Sequence, residues 1–239
     1  TRSHCDWSSD VCRLLIFAGK VHQLIEAHGL DGSDVVLMPA PLAHVSGLLH
    51  GVLLPGTAGM RTVLMDRWDP AGALDLIEAE GVTYMVGPPS FFLGLMDAPG
   101  FTPTRTTSLR LLSCGGTEVT PEFVERAGRE LGAVVKRSYG STEAPTVATS
   151  RFDDPPDRMA TTDGRALGGT ELRIGVDGEV WVRGPEVASG YLDPDQTAAS
   201  FVDGWFRTGD LGTLDDGWRT VTGRPGGRQD GRAAGWGKG

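Results

Sequence analysis

Thr62 to Val86 reads TVLMDRWDPAGALDLIEAEGVTYMV, and the punctuation of this stretch decides the fold. Thr62–Met65 and Thr83–Val86 are short apolar runs with β-branched residues, each the length of a buried strand. Between them Asp69 can cap a helix whose first position is Pro70, and Gly81 can close that helix in a left-handed conformation. The unit is strand, helix, strand. Outward from it, Val35–Met38 supplies an earlier strand. Leu109–Ser113 and Ala133–Lys136 supply two later ones, on either side of EFVERAGREL, which Thr120-Pro121 and Gly132 bracket in the same way. Such alternation predicts an α/β fold with a mostly parallel sheet flanked by helices.

The character changes after Thr149. Asp153-Asp154-Pro155-Pro156-Asp157 is polar and broken by proline, so neither strand nor helix is expected to run through it. Beyond it, ELRI and EVWVRG flank Asp177-Gly178, while TGDLGTLD and WRTVTG flank Asp216-Gly217. Both Asp-Gly steps suit tight hairpins that need positive φ. The expected organisation is an α/β subdomain over 13–150, followed by a small antiparallel β subdomain over 151–222. The ends fit neither part: residues 1–12 are unpatterned, with DWSSDVC reading like a translated sequencing adapter, and 223–239 is an aberrant tail rich in glycine and arginine.

Composition narrows the chemistry. The chain of 239 residues has 31 acidic and 22 basic residues and a formal charge of −9, which speaks against a general nucleic-acid footprint and leaves small-molecule chemistry. Cys5, Cys12 and Cys114 form no metal-ligand spacing, and a reducing, cytoplasmic setting is expected. No apolar run is long enough to span a bilayer. There is no G-x-x-x-x-G-K-S/T phosphate loop, and the only G-x-G-x-G cluster, Gly235 to Gly239, lies in the tail. Ser113-Cys114-Gly115 could imitate a nucleophile elbow, but Leu111 replaces its first glycine and all five histidines precede the serine.

Two segments remain. SCGGTE (Ser113 to Glu118) ends a strand, where Gly115 and Gly116 allow either close approach to a flat ligand or simply a tight turn. YGSTEA (Tyr139 to Ala144) follows the next strand with an aromatic face, a glycine, two hydroxyls and a carboxylate. That set suits base stacking, phosphate contact and Mg²⁺, although a capped turn with an exposed acid explains it too.

These segments resemble the adenylate-forming (AMP-binding) superfamily, and within it the acyl-CoA synthetases. YGSTEA is similar to that family's Y-G-S/T-T-E, and WFRTGDLG (Trp205 to Gly212) to its later aromatic-x-x-T-G-D. GEVWVRGPEVASGYL (Gly178 to Leu192) and PLAHVSG (Pro41 to Gly47) match two further family motifs in order. The resemblance implies that Tyr139 stacks on adenine with Gly140 beside it, and that Gly115, Gly116 and Thr117 lie along the adenine edge. It further implies that Thr142 contacts the α-phosphate, Glu143 binds Mg²⁺, Asp210 accepts the ribose hydroxyls and Arg224 reaches ribose or phosphate. His44 would border the acyl pocket, whereas on pattern alone a histidine bonded to backbone at a helix start is the favoured reading.

The implied reaction is ATP-dependent activation of a carboxylic acid to an acyl-adenylate, followed by transfer to CoA. The apolar segment VGPPSFFLGLMD (Val86 to Asp97) is expected to line the acyl pocket, favouring a fatty, alicyclic or aromatic acid. TTDGRALGG (Thr161 to Gly169) is similar to ligases of medium-chain and cyclic acids. The family's lysine-bearing triphosphate loop has no counterpart in Thr1 to Lys20, and after Arg224 no lysine-bearing C-terminal domain follows. The polypeptide as written is therefore expected to be an inactive central fragment and at best a weak nucleotide binder. The alternatives are a non-catalytic domain that binds AMP or an acyl-adenylate, a peptide-synthetase adenylation domain, or a plain α/β interaction domain.

Overall fold

A computed structural model of the chain describes the backbone of residues 7–223 and the side chains of residues 17–223. Residues 1–6 of the leader, and Arg224 with the rest of the tail, lie outside the described residues. The first part runs α1 (Trp7–His28), β1 (Val35–Met38), α2 (Val45–Leu48), a π-helical turn (Leu49–Leu53), α3 (Leu54–Ala58), β2 (Arg61–Leu64), α4 (Pro70–Glu80), β3 (Tyr84–Gly87), α5 (Pro89–Met96), a 3-10 turn (Pro103–Thr106), β4 (Leu111–Gly115), α6 (Pro121–Leu131) and β5 (Val134–Tyr139). Then come β6 (Ala148–Thr149), α7 (Pro156–Thr161), β7 (Arg165–Ala166), β8 (Glu171–Ile174), β9 (Glu179–Arg183), α8 (Pro194–Ser200), β10 (Phe201–Val202), β11 (Trp205–Asp215) and β12 (Trp218–Gly223).

All five expected parallel strands form, paired in the order β2-β1-β3-β4-β5. The helix boundaries follow the capping chemistry. Asp69 accepts from the amides of Ala71 and Gly72 at 3.3 and 3.1 Å, and Gly81 closes α4 at φ 62°. Thr120 accepts from the Phe123 amide at 3.2 Å, and Gly132 closes α6 at φ 71°. β5 extends beyond its expected end at Lys136, because Arg137 and Ser138 find partners inside the protein. Polarity there signals a bonded interior rather than a strand end.

Successive side chains of β1, β3 and β4 enter different cores. Val35 and Leu37 of β1, Met85 of β3, Leu112 and Cys114 of β4 and Val135 of β5 pack under α4, α5 and α6. Val36 and Met38, Tyr84 and Val86, and Leu111 face α1 and the helices around Leu49 and Leu54. The sheet is thus covered on both faces, which is why its strands read as unbroken apolar runs. Phe92 and Leu95 of α5, fully buried in the first of these cores, account for the apolar character of the 86–97 segment by core packing, and Ser90 and Asp97 face outward.

Beyond β5 the same sheet continues antiparallel through β6, β7, β12, β11, β9 and β8, with β10 on β11. The join between β7 and β12 is one residue pair deep, Trp218 with Arg165. Two hydrogen bonds flank it, from the Asp163 amide to Arg219 O at 2.7 Å and from the Arg219 amide to Gly164 O at 3.0 Å. Asp216 and Gly217 both have positive φ, 46° and 80°, as the β11–β12 hairpin requires. The Asp177-Gly178 hairpin differs: only Gly178 is left-handed, at φ 81°, in a longer Gly175–Gly178 connection closed by Gly178 N to Gly175 O at 3.0 Å. Around Asp153–Asp157 a helix does form, starting at Pro156, since proline is tolerated in a first helical turn where its missing N–H is not needed.

Candidate functional site

The C-terminal ends of the parallel strands share one edge of the sheet, and the candidate residues gather there. Gly115 ends β4 in register with Ser138 of β5. A Cβ on Gly115 would lie 2.2 Å from Ser138 O, so only glycine permits this approach. Gly116 follows at φ 81°, and with Thr117 it is exposed. Gly140 is fixed in the same way: a Cβ there would meet the Thr146 amide nitrogen at 2.3 Å, where the loop after β5 folds back on itself. Ser113, the serine of the discarded elbow, is buried and shares a 2.8 Å hydrogen bond with Ser138.

Asp210 arrives from the antiparallel half. β11 pairs Arg207 with Trp181 of β9 and next Leu211 with Glu179, so the ladder is interrupted between them and Gly209 takes φ 72°. Bulges of this kind turn a side chain out of the regular alternation. The bulge is held by Thr208, which donates to Val180 O at 2.8 Å and accepts from the Asp210 amide at 3.1 Å, and by the Glu179 carboxylate, which takes the Gly209 amide at 2.8 Å and Arg207 at 2.7 Å. The result is a 2.7 Å hydrogen bond from the Tyr139 hydroxyl to Asp210 Oδ2, joining two motifs 71 residues apart in sequence. Burial pushes the Tyr139 phenol up, so it stays protonated and donates.

Glu143 is organised by the segment after β9. Tyr191 donates its hydroxyl to Glu143 Oε1 at 2.8 Å, and the Ala188 amide donates to Glu143 O at 2.7 Å. Thr142 beside it is exposed. Among the described residues no cluster of three or more His, Cys, Asp or Glu could hold a metal by itself. A single carboxylate with a neighbouring hydroxyl fits Mg²⁺ that takes most of its ligands from phosphate and water.

His44 caps α2, its Nδ1 accepting from the Ser46 amide at 3.2 Å, and burial lowers its pKa. The spacing in PLAHVSG has a packing cause, for a Cβ on Gly47 would lie 2.1 Å from Pro41 O. A cleft of about 590 Å³ opens beside this segment, lined by Met38, Ala40, Pro41, Leu42, Leu64, Met65 and Asp66.

Two residues beside the site, Arg219 and Asp163, carry no role in the sequence reading, although Asp163 stands in TTDGRALGG. Arg219 of β12 is fully buried with its guanidinium carbon 3.1 Å from the centre of the Tyr139 ring. Asp163 accepts from Arg137 at 2.9 and 3.1 Å and from the Val221 amide at 2.7 Å. Arg219 was legible in one respect, since it shares the inward face of its strand with Val221, where a charge is out of pattern.

With this geometry in place, residues 13–192 match the family model described as AMP-binding enzyme. The chain belongs to the AMP-binding enzyme family. A medium-chain fatty-acid–CoA ligase of Escherichia coli is 38% identical over 208 residues, covering 82% of this chain and 37% of the relative. A propanoyl:CoA ligase of Rhodococcus jostii, whose acid carries a methyl-dioxo-octahydroindenyl ring system, is 38% identical over 203 residues, covering 83% and 39%. Among solved structures of the family, ATP-bound MatB from Rhodopseudomonas palustris superposes with a TM-score of 0.80 at 27% identity, over 87% of this chain and 44% of that one. The chain thus spans about two fifths of the length of these curated relatives. Among the described residues no helix is long and apolar enough to cross a membrane.

Proposed function

We propose that this chain carries the adenosine-binding and Mg²⁺-binding part of an ATP-dependent acid–CoA ligase. The observation that carries this reading is the Tyr139–Asp210 hydrogen bond. It sets an aromatic face and a carboxylate side by side at the edge where Gly115 and Gly116 leave backbone uncovered. An aromatic ring next to a carboxylate suits a nucleoside, which offers a flat base and two vicinal hydroxyls.

In this reading Tyr139 and the Gly115-Gly116-Thr117 turn take the base, with Gly140 keeping the loop close. Asp210 accepts from the ribose hydroxyls, and Thr142 donates to the α-phosphate. Glu143, already oriented by Tyr191, is the Mg²⁺ ligand. Bound Mg²⁺ would neutralise charge on the transferring phosphate. The carboxylic acid and then CoA would approach from the His44 side of the sheet edge, and Arg224 would complete the nucleotide contacts. Relatives named for fatty and alicyclic acids support an acid of that apolar class. The chain's own part in the chemistry is to hold nucleotide and acid in line for attack on the α-phosphorus.

Calorimetric titration with AMP in the presence of Mg²⁺ tests the reading. Binding that Asp210→Ala weakens by about tenfold or more is expected, the loss of a charged hydrogen-bond acceptor. AMP binding of unchanged affinity in Asp210→Ala would remove the assignment.

A further inference from the structure

We propose that Arg219 is a positioning residue which, through the ring of Tyr139, fixes the Asp210 carboxylate for its ligand. The inference rests on the nucleotide-site reading above and assigns a role to a residue outside the motifs that led to it.

The starting point is a cation placed badly for stability. Arg219 is 0% exposed, and Nε, Nη1 and Nη2 have no hydrogen-bond partner among the described residues. Its ion-pair partner is Asp163, at 3.6 Å, whose oxygens are already taken by two bonds from Arg137 and one from the Val221 amide. A buried guanidinium without hydrogen bonds costs folding free energy, and an apolar side chain of similar volume would serve the fold better. What the charge does instead is lie on the Tyr139 ring, 3.1 Å from its centre. A guanidinium over a ring face attracts the ring and restricts its rotation. With the ring held, the hydroxyl stays on Asp210 at 2.7 Å, so the order of influence is Arg219, Tyr139, Asp210. β12 supplies this brace because its neighbour β11 carries Asp210, so one hairpin holds both the carboxylate and the residue that fixes its partner.

The test compares Arg219→Met and Arg219→Lys with the unaltered protein by three readouts: Tm, AMP affinity with Mg²⁺ by calorimetry, and ring signals in ¹³C-tyrosine-labelled protein, where Tyr139→Phe identifies the Tyr139 signals among the three tyrosines. Arg219→Met is expected to leave Tm unchanged or raise it, to let the Tyr139 ring flip faster and to weaken AMP binding about tenfold, because preorganisation is lost. Arg219→Lys, which keeps a cation, is expected to restore affinity to within about threefold. A fall in Tm and affinity together, without rescue by Lys, would make Arg219 merely structural and overturn the proposal. Unchanged Tyr139 signals in Arg219→Met would also overturn it. If the unaltered protein binds no AMP while its Tyr139 signals still respond to Arg219→Met, the nucleotide reading fails and the positioning role stands. Should Arg219→Met not fold, Arg219→Gln carries the same comparison.

Discussion

The two halves of the sheet are held together by different means. In the parallel half, β1, β3 and β4 are sandwiched between two cores, and β5 adds Val135 to one of them with Lys136 and Arg137 buried beside it. In the antiparallel half one small cluster, built on Ala144, Val147, Val180, Val182 and Phe206, packs a single face. The rest is charged and aromatic: Arg173 lies 4.4 Å from Trp181 and 4.3 Å from Trp205, Arg183 lies 4.5 Å from Trp205, and Arg207 pairs with Glu179 at 2.7 Å. The difference teaches that the first half supplies rigidity and the second supplies adjustable side chains. The candidate site lies where one meets the other.

Truncation should break the comparison most sharply. Leu112→Ala removes a fully buried side chain between β3 and β5 and is expected to cost about 3–5 kcal/mol in chemical denaturation, as transfer and cavity terms add. Ile174→Ala, at a half-buried position of β8, is expected to cost about 1 kcal/mol. Equal losses would mean that the two halves share one packing regime.

Histidine protonation should act on the parallel half, because every histidine of the chain precedes it or lies in it. Burial lowers His50 to about 4, and burial, chiefly, also sets His28 well below its usual value. The unfolded chain takes up these protons as pH falls through about 6.5, while the folded chain does not. The unfolded state therefore binds more protons between pH 6.5 and 4, and stability, fully present above 6.5, declines through that window. The slope is expected to reach about 1.4 kcal/mol per pH unit for each such histidine. Denaturation midpoints of His50→Gln between pH 7 and 4.5 should fall less steeply than those of the unaltered protein; parallel curves would assign the slope elsewhere.

The smallest effect is expected in the antiparallel half. Glu179→Gln weakens the hold on Arg207 and on the Gly209 amide that shapes the bulge, so AMP affinity should fall about threefold with little change in Tm. A large loss of Tm would show that Glu179 supports the fold rather than the site.

This contrast also explains what could be read from sequence. The parallel strands and α4 and α6 announce themselves, because burial on both faces demands apolar runs and the caps demand Asp69-Pro70, Gly81, Thr120-Pro121 and Gly132. β6, β7 and β10 are two residues long, too short to carry a period, and α8 lay behind Asp193-Pro194, a cap of the same kind as Asp69-Pro70. At the site, Gly115, Tyr139 and Asp210 stand in recognisable motifs. Glu179 stands in the GEVWVRG segment of β9, but its hold on the β11 bulge, like the place of Arg219 on β12, comes from strand pairing rather than from local pattern. The apolar 86–97 segment reads two ways for the opposite reason, since a core helix and a ligand pocket draw on the same residues.

The join between β7 and β12 has a mechanical consequence. A ladder pulled across its strands opens bond by bond, and this one offers a single residue pair with two flanking bonds. Tension across this join, which lies within the antiparallel part of the sheet, would act on Arg219, whose backbone makes both flanking bonds and whose side chain lies on Tyr139. Because that side chain lies on Tyr139, tension across the join would reach the Tyr139–Asp210 bond through a single side-chain contact.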